Sequence, residues 1–238
     1  MGKNRILSVR NVTVRYGKSL AVDNVSLDVE EGAIVILVGA NGAGKTTILN
    51  VISGIVAPDA GEVSFDGTRI DGVPAFKIAR AGVVHVPEGR RLFASLSVED
   101  NLKLGARKEA GDAKTMMEKI FEDFPILRSK RADKASSLSG GQQQMLAIAR
   151  ALMARPRILM LDEPCLGLAP VIIESLYSMV RTINESGVSV LLAEQNVSLA
   201  VRLGMYGYAL AVGNVVLEGD MEKLRSGGAL SAAYLGES

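Results

Sequence analysis

Continuous apolar runs and a helical middle segment set the pattern of this chain. Three apolar runs indicate strands that are buried on both faces of a parallel sheet: residues 34–38, 157–161 and 188–193. Between residues 87 and 155 the apolar positions instead recur at helical spacing. This segment predicts three helices, over residues 98–106, 113–124 and 141–154.

From residue 6 to about residue 65 the chain follows a different pattern, in which short apolar stretches alternate with turns. This region predicts strands at residues 7–9, 12–14 and 25–29, with turns at 17–18 and 31–32. Near the other end, residues 208–218 predict a hairpin that turns at Gly213 and Asn214. Together the patterns predict an α/β fold with β structure at its N-terminal end and helices inserted in the middle.

A glycine-rich segment follows the strand predicted at residues 34–38. It matches the pattern G-x-x-x-x-G-K-[ST], whose backbone N–H groups surround a polyphosphate. Lys45 adds a positive charge for the β- and γ-phosphates, and Thr46 offers a hydroxyl to Mg²⁺. The simpler interpretation, a plain glycine-rich turn, is disfavoured by the strand before it and the helix after it. The predicted ATP-binding residues are Gly39, Ala40, Asn41, Gly42, Ala43, Gly44, Lys45, Thr46 and Thr47.

Two acids, Asp162 and Glu163, end the apolar run at residues 157–161. A parallel strand would deliver both carboxylates to one edge of its sheet. At a phosphate-loop site, Asp162 is expected on the Mg²⁺ side and Glu163 beside the water that attacks the γ-phosphate. Beside the phosphate loop, this pair predicts hydrolysis of ATP.

The segment LSGGQQQ, residues 138–144, precedes a helical pattern, so Ser139, Gly140 and Gly141 lie at a predicted helix N-terminus. A simple serine helix cap is the alternative interpretation. The phosphate loop, the LSGGQ-like run and the acidic pair, in this order, resemble the nucleotide-binding subunit of an ABC transporter. The resemblance covers essentially the whole chain. It implies a head-to-tail dimer in which these three residues contact the γ-phosphate held by the other subunit.

The same resemblance refines the fold. It implies a RecA-like phosphate-loop ATPase core with an N-terminal antiparallel β region, formed by residues 1–86 and 156–238. Residues 87–155 would form the inserted helical subdomain, which docks on membrane subunits, within a single ABC ATPase domain. Tyr16 stands where the family stacks an aromatic ring on adenine, although an ordinary strand-end tyrosine is the alternative.

The chain departs from the general family pattern at three places. Glu88 stands where most members carry a glutamine that ligates Mg²⁺, and a carboxylate can also ligate. Gln195 stands at the place of the switch histidine, and its amide can donate to the γ-phosphate without titrating. Residues 166–170, LGLAP, replace a segment that usually ends in an aspartate. The single histidine, His85, lies in an apolar run and is interpreted as structural.

These departures occur together in one subgroup, the shorter ATPase subunits of branched-chain amino acid importers, which the ending at residues 233–236 also resembles. That resemblance implies a second ATPase subunit, two transmembrane permeases and, indirectly, a periplasmic solute-binding protein. It also implies a position at the cytoplasmic face of the inner membrane. ATPases of urea or amide importers are the nearest alternative. Two other classes are a soluble ABC-type switch in repair or translation, and a phosphate-loop kinase.

Composition is compatible with this interpretation. The chain has 238 residues, 48 % of them hydrophobic, which suffices for a sizeable core. The formal net charge of +1 predicts no nucleic-acid partner. The one cysteine, Cys165, excludes an internal disulfide, fits a reducing compartment and is interpreted as a small apolar filler. Because no apolar run approaches 18 residues, contact with the membrane is expected to come through partners.

Overall fold

The computed structural model describes residues 4–107, 112–196, 202–204 and 206–222. The ending at residues 233–236 lies outside them. The N-terminal region forms an antiparallel sheet with the strand order β2-β1-β4-β5. Its strands are β1 (Arg5–Tyr16), β2 (Ser19–Glu30), β4 (Ala60–Phe65) and β5 (Thr68–Arg69).

The second sheet carries the nucleotide-site motifs and has the order β10-β9-β3-β8-β7-β6. The four pairings from β9 to β6 are parallel, and β10 joins β9 as an antiparallel edge strand. The strands are β3 (Ile34–Gly39), β6 (Val83–Val86), β7 (Ile158–Asp162), β8 (Ser189–Glu194), β9 (Tyr206–Ala211) and β10 (Asn214–Asp220). The predicted buried strands are thus confirmed as β3, β7 and β8.

Seven α-helices are present in the described ranges. They are α1 (Lys45–Ile52), α2 (Ala75–Ala81), α3 (Val98–Gly105), α4 (Ala113–Asp123), α5 (Pro125–Ser129), α6 (Gly140–Leu152) and α7 (Pro170–Glu185). The three helices predicted between residues 87 and 155 correspond to α3, α4 and α6.

One prediction for the N-terminal region was wrong. Residues 7–9 and 12–14 were predicted as two strands, and they belong to the single strand β1. Val9 and Val12 are both buried although an odd spacing should place them on opposite faces. A β-bulge between them, with Asn11 at φ 51°, adds one residue and restores both valines to the core face.

Two hydrophobic cores lie on opposite faces of the second sheet. Val35 and Leu37 of β3 pack with α1 and the N-terminal sheet, whereas Ile36 and Val38 pack with α6 and α7. This alternation follows from the period of two along a strand. Because both faces are covered, β3 and β7 are apolar along their length, and the acid Asp162 stands at the carboxyl end of β7.

His85 lies in β6 and is half-buried, and its buried Nε2 atom has no hydrogen-bond partner among the described residues. Burial lowers the pKa of its imidazole to about 4. Because the unfolded chain protonates near pH 6.5, His85 contributes stability above that pH and the contribution is lost as the pH falls towards 4. The single histidine signal in an NMR titration should therefore report a pKa near 4.

A pKa near 6.5 in that titration would contradict the buried assignment. His85→Gln supplies the matched comparison. Between pH 6.5 and 5 we expect the variant to lose less unfolding free energy than the native chain, by about 1.4 kcal/mol per pH unit.

Candidate active site

The phosphate loop connects β3 to α1 in a conformation that depends on glycine. Gly42 and Gly44 have φ values of 80° and 106°, which residues with a Cβ atom seldom adopt. Gly39 is needed for a different reason, since a Cβ atom there would lie 2.7 Å from the carbonyl oxygen of Leu210. Helix α1 begins at Lys45, so its free N–H groups face the concave side of the loop.

Lys45 is buried and makes three polar contacts, two within the loop and one outside it. Its Nζ atom donates to the carbonyl oxygens of Gly39 and Ala40, at 2.7 and 3.1 Å. It also forms an ion pair with Oε1 of Glu163, at 3.0 Å. The structure therefore brings the predicted phosphate-binding lysine and the predicted water-activating glutamate together across β3 and β7. In this arrangement the carboxylate of Glu163 balances the charge of Lys45.

Asp162 lies at the end of β7 with only 2 % of its surface exposed. Burial raises its pKa, the hydroxyl of Thr46 opposes that rise, and the charges of Glu163 and Glu88 add to it. Neither carboxylate oxygen of Asp162 has a partner with good hydrogen-bond geometry among the described residues. Thr46, Glu88 and Asp162, the three residues predicted to bind Mg²⁺, therefore lie close together.

This neighbourhood fits a hard cation that is held partly by other ligands. Buried carboxylate oxygens without a partner are a costly arrangement unless a cation or water satisfies them. Within the described ranges no group of three or more His, Cys, Asp or Glu side chains is arranged to hold a metal by itself. That is compatible with Mg²⁺, which usually takes one or two carboxylates and completes its shell with phosphates and water.

Ser139 is the N-cap of α6, and Gly140 and Gly141 are the first two residues of that helix. Ser139 caps the helix in a capping box with Gln142, in which each side chain bonds the other residue's backbone N–H. Arg90 donates to the side chain of Gln143 at 3.1 Å and lies over Gly140. The predicted helix cap is therefore present, with Gly140 half-buried and Gly141 buried.

Gly141 cannot carry a larger side chain without a shift of its surroundings. A Cβ atom there would lie 2.4 Å from Cγ2 of Ile172, in α7. We expect Gly141→Ala to lower the unfolding free energy by about 1–3 kcal/mol through overpacking, measured by urea denaturation.

Gly140→Ala is the matched control for that variant. Its Cβ atom would meet only the flexible end of Arg90, at 3.2 Å, and alanine is favoured over glycine inside helices. It should therefore be as stable as the native chain. Equal stability of the two variants would contradict the proposed contact with Ile172.

The two remaining predicted site residues lie at the margins of this region. Gln195 follows β8 directly, at the sheet edge where Asp162 pairs with Ala193. Tyr16 ends β1 and is 51 % exposed. The hairpin that begins there leads to Ala21, whose carbonyl oxygen would lie 3.0 Å from a Cβ atom on Gly44. Tyr16 therefore stands near the outer side of the phosphate loop.

Two features of the site were not predicted from the sequence. Gly89, Arg90 and Arg91 all have positive φ values, which forms a tight left-handed turn after Glu88. Glu194 is 4 % exposed and accepts the backbone N–H of Cys165 at 3.3 Å. The available signal for the second was an acid at the end of an otherwise apolar strand, the same signal that identified Asp162.

A phosphate loop leads from the buried parallel strand β3 to a helix N-terminus, and an acidic pair stands at the end of β7, one strand beyond the neighbour of β3. Together these features define a phosphate-loop ATPase. Residues 22–166 match the family model described as ABC transporter, which identifies this chain as a member of that family. The chain is an ATP-hydrolysing subunit that binds nucleotide, and subunits of this kind form dimers and work with permeases.

Curated relatives match the chain from end to end. It is 41 % identical over 232 residues to the high-affinity branched-chain amino acid transport ATP-binding protein BraG of Pseudomonas aeruginosa, covering 97 % of this chain and 100 % of BraG. It is 35 % identical over 253 residues to BraF, a second protein of the same description and organism, covering 98 % of each.

One solved structure with a similar fold contains bound nucleotide. It is a dimeric ATP-binding cassette in a post-hydrolysis state, bound to ADP and Pi. The TM-score is 0.79 at 27 % identity, over 90 % of this chain and 98 % of that one. In the described part of our chain, no helix is long and apolar enough to cross a membrane.

Proposed function

We propose that this chain hydrolyses ATP to drive an importer for branched-chain amino acids. The observation that carries this proposal is the end-to-end similarity to BraG, a protein described by that transport. Glu88, Gln195 and the segment 166–170, which distinguish the chain from the general family pattern, all lie in or beside the ATPase site. The urea and amide importers remain the alternative solute class, because the ATPase does not contact the solute.

Binding of ATP begins with an exchange of partners at Lys45. In the structure its ammonium is paired with Glu163 and two loop carbonyls. The β- and γ-phosphates offer a stronger anionic partner inside a buried loop, so Lys45 would turn to them. Glu163 would thereby be released to accept a hydrogen bond from the attacking water. Tyr16 would cover the adenine ring at the outer side of the loop.

Thr46, Glu88 and Asp162 would hold Mg²⁺ beside the phosphates, with Asp162 acting through water. When bound, the ion would neutralise charge that develops on the phosphate oxygens. Asp162 would remain buried and ionised there, since a cation offsets the effect of burial on its pKa. Gln195 would donate its amide N–H to the γ-phosphate.

The site is completed by a second ATPase subunit in this proposal. Ser139, Gly140 and Gly141 would contact the γ-phosphate that the other subunit holds, with the helix N-terminus of α6 directed at that anion. Two different proteins of one organism, BraG and BraF, carry the same description, which supports a heterodimer.

A groove beside the Glu88 turn supports docking of the chain on two permeases at the cytoplasmic face of the inner membrane. The groove has a volume of about 350 Å³ and lies between β6, α3 and α6. Phe93 and Leu104 line it and are 52 % and 56 % exposed, so they give the groove an apolar surface. Movement of this surface on ATP binding would pass to the permeases, and a periplasmic solute-binding protein would act on their far side.

Affinity purification of the chain from its native membranes, followed by identification of the co-purified proteins, tests this assembly. We expect two multi-span permeases and a second, different ATPase. Recovery of a homodimer with permeases would overturn the heterodimer alone. Recovery of ribosomal or DNA-bound proteins with no membrane subunit would overturn the transporter assignment and favour the soluble switch.

A further inference from the structure

The backbone at Glu163 is held in a conformation that non-glycine residues seldom adopt. Its φ value is 44°, in the left-handed region. Such strained residues persist only where surrounding contacts hold them, and they are concentrated at functional sites. The contacts that hold this residue therefore determine where the carboxylate of Glu163 stands.

Two hydrogen bonds tie the segment after β7 to the end of β8. The N–H of Glu163 donates to the carbonyl oxygen of Ala193 at 2.9 Å. Two residues later, the N–H of Cys165 donates to Oε1 of Glu194 at 3.3 Å. The strained residue thus has one tether at its own nitrogen and another just beyond it.

The carboxylate of Glu194 connects the segment after β7 with the end of β8. It is buried, and its Oε1 atom accepts the backbone N–H of Cys165, while the next residue in the chain is Gln195. Burial raises its pKa, and the bonds from Cys165 and Gln195 oppose that rise. One side chain therefore joins the segment that carries Glu163 to the segment that carries Gln195.

We propose that Glu194 is a positioning residue that fixes the Glu163 and Gln195 loops relative to each other, so that the two side chains reach the γ-phosphate as one unit. The proposal rests on the functions proposed above for Glu163 and Gln195. Glu194 itself does not contact the nucleotide in this account. Loss of its acceptor oxygen would free the loop after β7 to leave the strained conformation.

The sole cysteine provides a probe of this tether. Cys165 is 6 % exposed, and the chain has no other thiol, so reaction with a disulfide reagent such as Ellman's reagent reports on this loop alone. In Glu194→Leu, which removes the acceptor but keeps an apolar side chain of similar size, we expect labelling of the full chain to be about tenfold faster. The turnover number of the native membrane assembly should fall about tenfold, with the Kd for ATP unchanged.

Two matched variants distinguish a positioning role of Glu194 from an effect on stability and from an effect of its charge. Glu194→Gln retains an oxygen that can accept from Cys165 and should restore native labelling and turnover. Val190→Ala leaves a cavity on the same face of β8 and should lower the melting temperature without slowing turnover. If Glu194→Leu fails to fold, Glu194→Ala replaces it with the same expectations.

Several results would overturn the proposal. Native labelling and turnover in Glu194→Leu would show that no tether is needed. An equal loss in Glu194→Gln would assign the effect to charge, and an equal loss in Val190→Ala would assign it to stability. Labelling does not depend on what Glu163 does, so faster labelling with turnover insensitive to Glu163→Gln would instead mark failure of the proposed role of Glu163.

Discussion

Replacement of Glu163 by glutamine is expected to lower ATP turnover by about a hundredfold or more while ATP stays bound. General-base catalysis contributes about 10²–10⁴-fold to enzymatic rates, and an amide cannot take the proton of the attacking water. The variant also removes the negative partner of Lys45. Lys45 then turns to the phosphates without leaving a carboxylate unpaired, so the Kd for ATP should be unchanged or lower.

Single-turnover hydrolysis and binding of a fluorescent ATP analogue measure the two effects separately. Glu122→Gln, on the exposed side of α4, makes the same chemical change far from the site and should leave both values unchanged. Native turnover in Glu163→Gln would remove Glu163 as the residue that polarises the water. A large loss of ATP affinity would show that the ion pair with Lys45 supports binding instead of competing with it.

Lys45→Met is expected to weaken ATP binding by about a hundredfold. The variant keeps a long apolar stem but loses the ammonium, and charge-assisted hydrogen bonds contribute about 1.5–3 kcal/mol each. A hundredfold change in Kd corresponds to about 2.8 kcal/mol, which lies in that range. Lys45 is 4 % exposed, so solvent cannot replace its charge at the phosphates.

Titration with the same fluorescent analogue measures this loss. Lys77→Met, at an exposed position of α2, is the matched control and should bind as the native chain does. Native affinity in Lys45→Met would place the phosphates away from the loop. The two site variants should therefore have different defects. Glu163→Gln should bind ATP without hydrolysing it, whereas Lys45→Met should fail to retain ATP.

Much of the site could be predicted because its parts are local in the sequence. The phosphate loop is eight consecutive residues, and Asp162 and Glu163 end a short apolar run that is typical of a buried strand. Because β3 and β7 are both parallel neighbours of β8, their carboxyl ends lie at the same edge of the sheet. The sequence therefore predicted which motifs meet, and α1, β3, β7 and β8 confirm the elements that carry them.

The contacts that decide how these motifs interact were not predictable in the same way. The ion pair of Lys45 with Glu163 and the hydrogen bond from Cys165 to Glu194 join residues that are distant in the chain. Both depend on the order of strands in the sheet, which hydrophobic periodicity does not specify. Cys165 packs in the core as predicted, but its backbone also serves as a donor. The subdomain boundaries at 86 and 156 stay a prediction.

Uptake of radiolabelled leucine tests the central claim most directly. In cells that lack this chain, expression of the native protein should restore leucine uptake, and Glu163→Gln, produced at the same level, should not. Labelled urea serves as the comparison solute and should be taken up equally in all strains. Restoration of urea uptake without leucine uptake, or leucine uptake driven equally well by Glu163→Gln, would contradict the account.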